Sequence, residues 1–116
     1  MSDAKLRQPA DPLYRLLREG DVDGYNRQRK VDEKYDLHAC NFRGIDLRLF
    51  NVANIDFTDC YFRQADLRGV DLRTCRLGGA SLHGAHVSGT YFPANLEAAE
   101  IEMSVRLGTR LRTRAP

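Results

Sequence analysis

The sequence lacks any unbroken apolar run near the ~18 residues that span a bilayer, so no membrane helix is expected. Its polar start, Met1 to Lys5, lacks the apolar stretch of a secretory signal, which leads to the expectation of a cytoplasmic protein with no membrane partner. There is no Cys-x-x-Cys pair, so the three cysteines are read as reduced core residues rather than as a disulfide or a metal site. No phosphate-binding loop, dinucleotide fingerprint or Ser-His-Asp order occurs, and no catalytic residue, cofactor or metal is expected. His83 and His86 flank Gly84-Ala85, but no outward acid or cysteine stands nearby to complete a metal site. Glutamate is missing from residues 35–94, where six Asp are matched by six Arg.

What the sequence does have is a register. Leu37, Phe42, Leu47, Val52, Phe57, Phe62, Leu67, Leu72, Leu77, Leu82, Val87 and Phe92 stand five apart without a break. Two residues before each lies a second set, mostly small or apolar: Tyr35, Cys40, Ile45, Phe50, Ile55, Cys60, Ala65, Val70, Cys75, Ala80, Ala85 and Thr90. The combined apolar spacing of two, then three, fits neither the three-and-four of a helix face nor the constant two of a strand face. A short extended step followed by a corner does give it. Inward residues must then meet each other, so the path closes and stacks, each turn pairing its backbone with the next at ~4.8 Å.

The runs Ala65-Asp66-Leu67-Arg68-Gly69, Val70-Asp71-Leu72-Arg73-Thr74 and Ala80-Ser81-Leu82-His83-Gly84 carry a resemblance. They are similar to the pentapeptide-repeat family, whose unit is a small residue, Asp or Asn, Leu or Phe, and two freer positions. The likeness covers residues 35–94, twelve units in phase, and looks like that of a small bacterial member. It implies an all-β solenoid, a right-handed quadrilateral parallel β-helix of about three coils, with residues twenty apart stacked. Tyr35, Ile45, Phe50 and Ile55 depart from the pattern, being large where a small residue is usual. Either the early coil is wider there or these side chains lie under the N-terminal segment.

The ends read differently. With 116 residues and 42% apolar content, one compact domain is expected, divided as 1–34, 35–94 and 95–116. Asp11-Pro12 followed by Leu13, Leu16 and Leu17 predicts a helix that Gly20 ends, and a second helix is expected from about Asp21 to Lys30 with Val22 and Tyr25 inward. After Phe92-Pro93, Asn95 is the expected cap of a helix running to Leu107 and stopping at Gly108, with a basic tail beyond. These ends cover the open coils, and in the resembling family C-terminal ends often pair two chains, so a homodimer through that end is expected.

Function must then come from outward positions. Tyr61 and Tyr91 stand where Asp is usual, and with Arg76, Arg106, Arg110 and Arg112 they are the candidate contacts to a protein partner that the residues do not identify. The expected function is a non-catalytic interaction or scaffold module. The resemblance also raises imitation of DNA toward gyrase or another type II topoisomerase, of the quinolone-protecting kind. A repeat surface with no net charge and three coils of only ~14 Å argue against it. A net charge of +2 and arginines without interleaved aromatic platforms likewise argue against nucleic acid, beyond weak contact through the basic tail.

Overall fold

Each five-residue unit takes two extended residues and then turns. In all ten successive corners from Phe42 to Val87, the carbonyl of the central apolar residue accepts from the amide three residues on, as in Phe42 to Ile45 at 3.1 Å and Leu82 to Ala85 at 2.8 Å. Most corners place their second turn residue at positive φ, among them Gly44, Gly69, Gly84 and Gly89. The need for glycine is sharpest at Gly79, where φ is 78° and an added Cβ would sit 1.9 Å from Oδ1 of Asp59. Leu49 and Thr74 occupy the same corner position without positive φ, because a branched side chain resists the left-handed region.

A computed structural model describes residues 6–114, and Met1 to Lys5, the polar start, lies outside the described residues. The chain passes over itself every twenty residues. Tyr35–Asp36 (β1) pairs in parallel with Ile55–Asp56 (β2), Tyr35 on Ile55 and Asp36 on Asp56. Single parallel bridges repeat the spacing at Asn41, Tyr61 and Ser81, at Asp46, Asp66 and His86, at Asp56 and Arg76, and at Asp71 and Tyr91. Regular strand is scarcer than the expected all-β solenoid implies: the regular elements are two two-residue strands and, at the ends where helices were expected, Pro12–Glu19 (α1), Val22–Gln28 (α2) and Ala98–Leu107 (α3). Extended steps of two residues are too short to register as longer strands once a turn closes each of them.

The core runs through the middle of these stacked turns. Of the twelve central residues, the ten from Leu37 to Leu82 are buried, whereas Val87 and Phe92 are only partly so. Phe42 and Phe62, twenty apart, stack with ring planes 10° apart and centroids at 5.3 Å, and Phe57 meets both edge-on. Ile45 and Ile55 are buried in this core despite their size. Phe50 lies under α2, edge-on to Tyr25 at 5.1 Å, and Tyr35 bonds through its hydroxyl to Asp11, with Arg29 5.8 Å above its ring.

Asp11 caps α1 through the amide of Tyr14, Pro12 opens the helix, and Gly20 closes it at φ 72°. Leu13, Tyr14 and Leu17 face inward, and Asp21 caps α2 through Gly24. The cap expected for α3 is corrected: Glu97, not Asn95, holds that position and makes no side-chain cap bond. Asn95 is taken up instead by a turn and by the tail, where Leu96 bonds back to Pro93 and the amide of Arg114 donates to the Asn95 carbonyl. Gly108 ends α3 at φ 76°, its amide donating to Ser104.

Candidate interaction surfaces

The outward Asp and Asn of the first two coils are tied to their own backbone. Side chains of Asp36, Asn41, Asp46, Asn51, Asp56, Asp66 and Asp71 each accept from the amide two residues on, at 2.9 to 3.2 Å. These short-range bonds hold each corner, as Asx turns do. The register that reads as a binding surface is therefore first a folding device.

Arginines then occupy what remains of three of those carboxylates. Arg48, Arg68 and Arg73 make two-point contacts with Asp46, Asp66 and Asp71, and Arg48 also reaches Asp66 in the next coil at 3.3 Å. The Arg68 guanidinium holds the Asp66 carboxyl well below the usual carboxylate range, and the Arg73 guanidinium holds Asp71 down to about 2. Pairs this exposed add little stability, but they leave no stripe of unbalanced acid.

The two ends are finished in different ways. At the N-terminal end, Arg7 pairs in parallel with Cys40, donating to Ala39 and accepting from Asn41. Outward-facing carbonyls of the first coil receive side chains: Asn41 from the Tyr14 hydroxyl at 2.6 Å and Asn51 from the Tyr25 hydroxyl at 2.7 Å. The carbonyls of His38, Arg43 and Ala53 accept from Arg7, Arg18 and Arg29. Sequence reading missed these hydroxyl caps; a tyrosine beside the apolar stripe of a short helix is the signal that could have found Tyr14.

At the C-terminal end the chain returns antiparallel, Arg110 beside Ser81, and Leu111 exchanges bonds with Gly79 and Ala80. Helix α3 docks through Ser104, its one buried residue, whose hydroxyl accepts from the amide of Leu82 at 2.9 Å. Between α3 and the last coil runs an apolar groove of about 330 Å³, floored by Val87, Phe92, Ile101 and Val105 and edged by Glu102 and Arg106. The amides of Val87, Gly89 and Phe92 meet no backbone carbonyl among the described residues.

Residues 55–92 match the family model described as Pentapeptide repeats, in eight copies. Over those residues the chain carries pentapeptide repeats. The match begins where the second coil begins, yet residues 35–54 of this repeat protein pair in the same twenty-residue register, so the divergent first coil shares the path. No curated protein and no solved structure matches the chain.

The six candidate contacts of the repeat protein fall in different surroundings. Tyr61 is corrected: it is only 5% exposed, because the C-terminal return covers its side of the coil. Its hydroxyl accepts from Arg63, which also donates toward Nδ1 of His83 at 2.9 Å, and Leu107 and Gly108 close over the same small pocket. Arg112 is clamped by Glu100 at 2.6 Å, and Arg106 pairs with Glu102 at 3.3 Å. Arg76, Arg110 and Tyr91 are exposed, and Tyr91 lies under the Arg73 guanidinium, 5.1 Å from ring centroid to cation.

Cys40, Cys60 and Cys75 are unpaired and buried. The thiols of Cys60 and Cys75 donate to the carbonyls of Leu37 and Val52. Burial pushes Cys40 and Cys75 up to about 11 and Cys60 well above its ordinary value. Among the described residues no group of three His, Cys, Asp or Glu stands where it could hold a metal, and no helix is long and apolar enough to cross a membrane.

Proposed function

We propose that the chain is a non-catalytic binding module of the cytoplasm, a right-handed quadrilateral β-helix of about three coils, sealed at its N-terminal end and paired with a second copy at its C-terminal end. The groove between α3 and the last coil carries this reading. It leaves Val87, Phe92, Ile101 and Val105 partly exposed beside unpaired amides, a surface that association would bury. Its rim is self-complementary: two α3 helices laid antiparallel about a twofold axis bring each Glu102 toward the second copy's Arg106. The faces of the stack remain for a protein partner, which affinity purification followed by mass spectrometry would identify.

Light scattering at working concentration tests the pairing. A dimer mass is expected, falling to the monomer for Ile101→Lys with the circular dichroism unchanged; a monomer mass for the unaltered chain overturns it. Imitation of DNA toward a topoisomerase is the alternative that the family raises, and the arginines clamped on Asp46, Asp66 and Asp71 speak against it. A supercoiling assay with the protein in large excess is expected to leave gyrase unaffected.

A further inference from the structure

The corner that joins the fourth side of the stack to the first brings together residues that look unrelated in the sequence. Arg73, Arg76 and Arg114 line one groove of about 470 Å³, along with Thr74 and Asn95. Arg114 is held there by the carbonyl of Ala94 and sits 3.8 Å from Glu97. Arg76 enters no ion pair among the described residues. Arg73 leads out of the groove to Tyr91: its Nε and one terminal nitrogen bond Asp71, and its guanidinium carbon sits over the Tyr91 ring, 5.1 Å from the centroid. At 55% exposure, the tyrosine side chain stays accessible to a ligand beside that cation.

An exposed aromatic face beside a line of guanidiniums is the arrangement by which proteins hold single-stranded nucleic acid: bases stack on the ring while cations follow the phosphates. We propose that this surface binds a short single-stranded stretch of RNA or DNA, one base stacked on the Tyr91 ring and the adjoining phosphates running past Arg73, Arg76 and Arg114. Read along the chain, the arginines lack an aromatic platform; the fold supplies one by stacking Tyr91 over Asp71. An acidic peptide would meet the same cations but would leave the ring unused, so the exposed ring favours a nucleobase. Asp71 and Glu97 offset part of the charge, which makes the binding weak and sensitive to salt. The groove shares no lining residue with the apolar groove under α3, so the two surfaces act independently.

Fluorescence anisotropy of a labelled oligouridylate and of oligothymidylate, each about ten nucleotides long, with the full chain at low salt tests this. Binding is expected with a log-log salt slope of about −2, the value for three phosphate contacts on a single strand. Tyr91→Ala is expected to weaken it roughly tenfold and Tyr91→Phe to preserve it. Arg76→Gln is expected to weaken all sequences alike and to reduce the slope by about 0.7. Both positions, Tyr91 and Arg76, are exposed, so the three variants retain the fold, which circular dichroism verifies. The proposal is overturned by no anisotropy change at low salt, by undiminished binding of Tyr91→Ala, or by oligoglutamate displacing the strand at equal concentration, which would point to an acidic protein partner instead.

Discussion

The two ends of this molecule solve the same problem with different chemistry. An open stack of coils exposes backbone groups and apolar side chains at its first and last turns. At the N-terminal end two short helices bring in Leu13, Tyr14, Leu17 and Tyr25, and hydroxyls and guanidiniums fill the free carbonyls. At the C-terminal end a longer helix docks through one serine and leaves Val87, Phe92, Ile101 and Val105 half covered. Helix length therefore says little about how well an end is closed. What matters is the size of the side chains that point inward and the number of orphan polar groups they satisfy.

The largest expected effect contrasts aromatic residues at the two ends. Phe42 is fully buried among Tyr14, Phe57 and Phe62, and Phe42→Ala is expected to cost about 3 to 5 kcal/mol in urea unfolding, whereas the half-covered Phe92→Ala is expected to cost roughly a third of that. Equal losses would show that the C-terminal end is as tightly closed as the other.

A smaller effect separates the caps. Tyr25→Phe keeps the ring and removes the donor to Asn51, and Ser104→Ala removes the acceptor for Leu82; each is expected to cost about 1 to 2 kcal/mol. Hydrogen exchange sharpens the contrast. Ser104→Ala should release the amides of α3 without touching those of the first coil, and Tyr25→Phe should do the converse. If either variant loosens both ends alike, the ends are one cooperative unit.

The smallest effect concerns the core between them. The thiols of Cys40 and Cys75 are held near 11, above the ordinary value of 9.0, so above pH 9 the unfolded chain loses protons that the native state keeps. Stability is fully present below pH 9 and is expected to fall as pH rises from 9 to 11. Cys40→Ala, at the N-terminal end, and Cys75→Ala, nearer the other, should each flatten that decline slightly in alkaline urea titrations. Rapid modification of all three native thiols by a thiol reagent would contradict their burial.

The interior was legible because it repeats. A five-residue register survives a large side chain here and there, and Ile45, Phe50 and Ile55 could be placed under cover from spacing alone. The non-repeating parts were less so. Tyr61 reads as an outward residue, and within its own coil it is one; it is buried only because a tail fifty residues later returns beside Ser81. Asn95 reads as a helix cap by residue type, but the helix starts later because Pro93 and Leu96 form a turn first. The cationic groove was legible in composition and not in place, since Arg76 and Arg114 meet only through stacking and the path of the tail.

The third coil differs from the first two in how its corners are held. Earlier corners lean on Asp and Asn side chains, and several tolerate positive φ at Ala39, Asn54, Asp59 and Gln64; the last three corners before the end are turned by Gly79, Gly84 and Gly89. Glycine does not itself dismiss the side chain, since Asn41 and Asp66 still hold the corners turned by Gly44 and Gly69; in the third coil the residue type before the centre has changed. Arg76, His86 and Tyr91 stand there and make no bond to the amide two residues on among the described residues. A change of residue there leaves the path of the chain alone, whereas the same change at Asp46 or Asp56 costs the corner its bond. The outer face of the third coil is thus the part of the repeat surface where a new contact can be acquired, exchanged or lost at no cost to the fold.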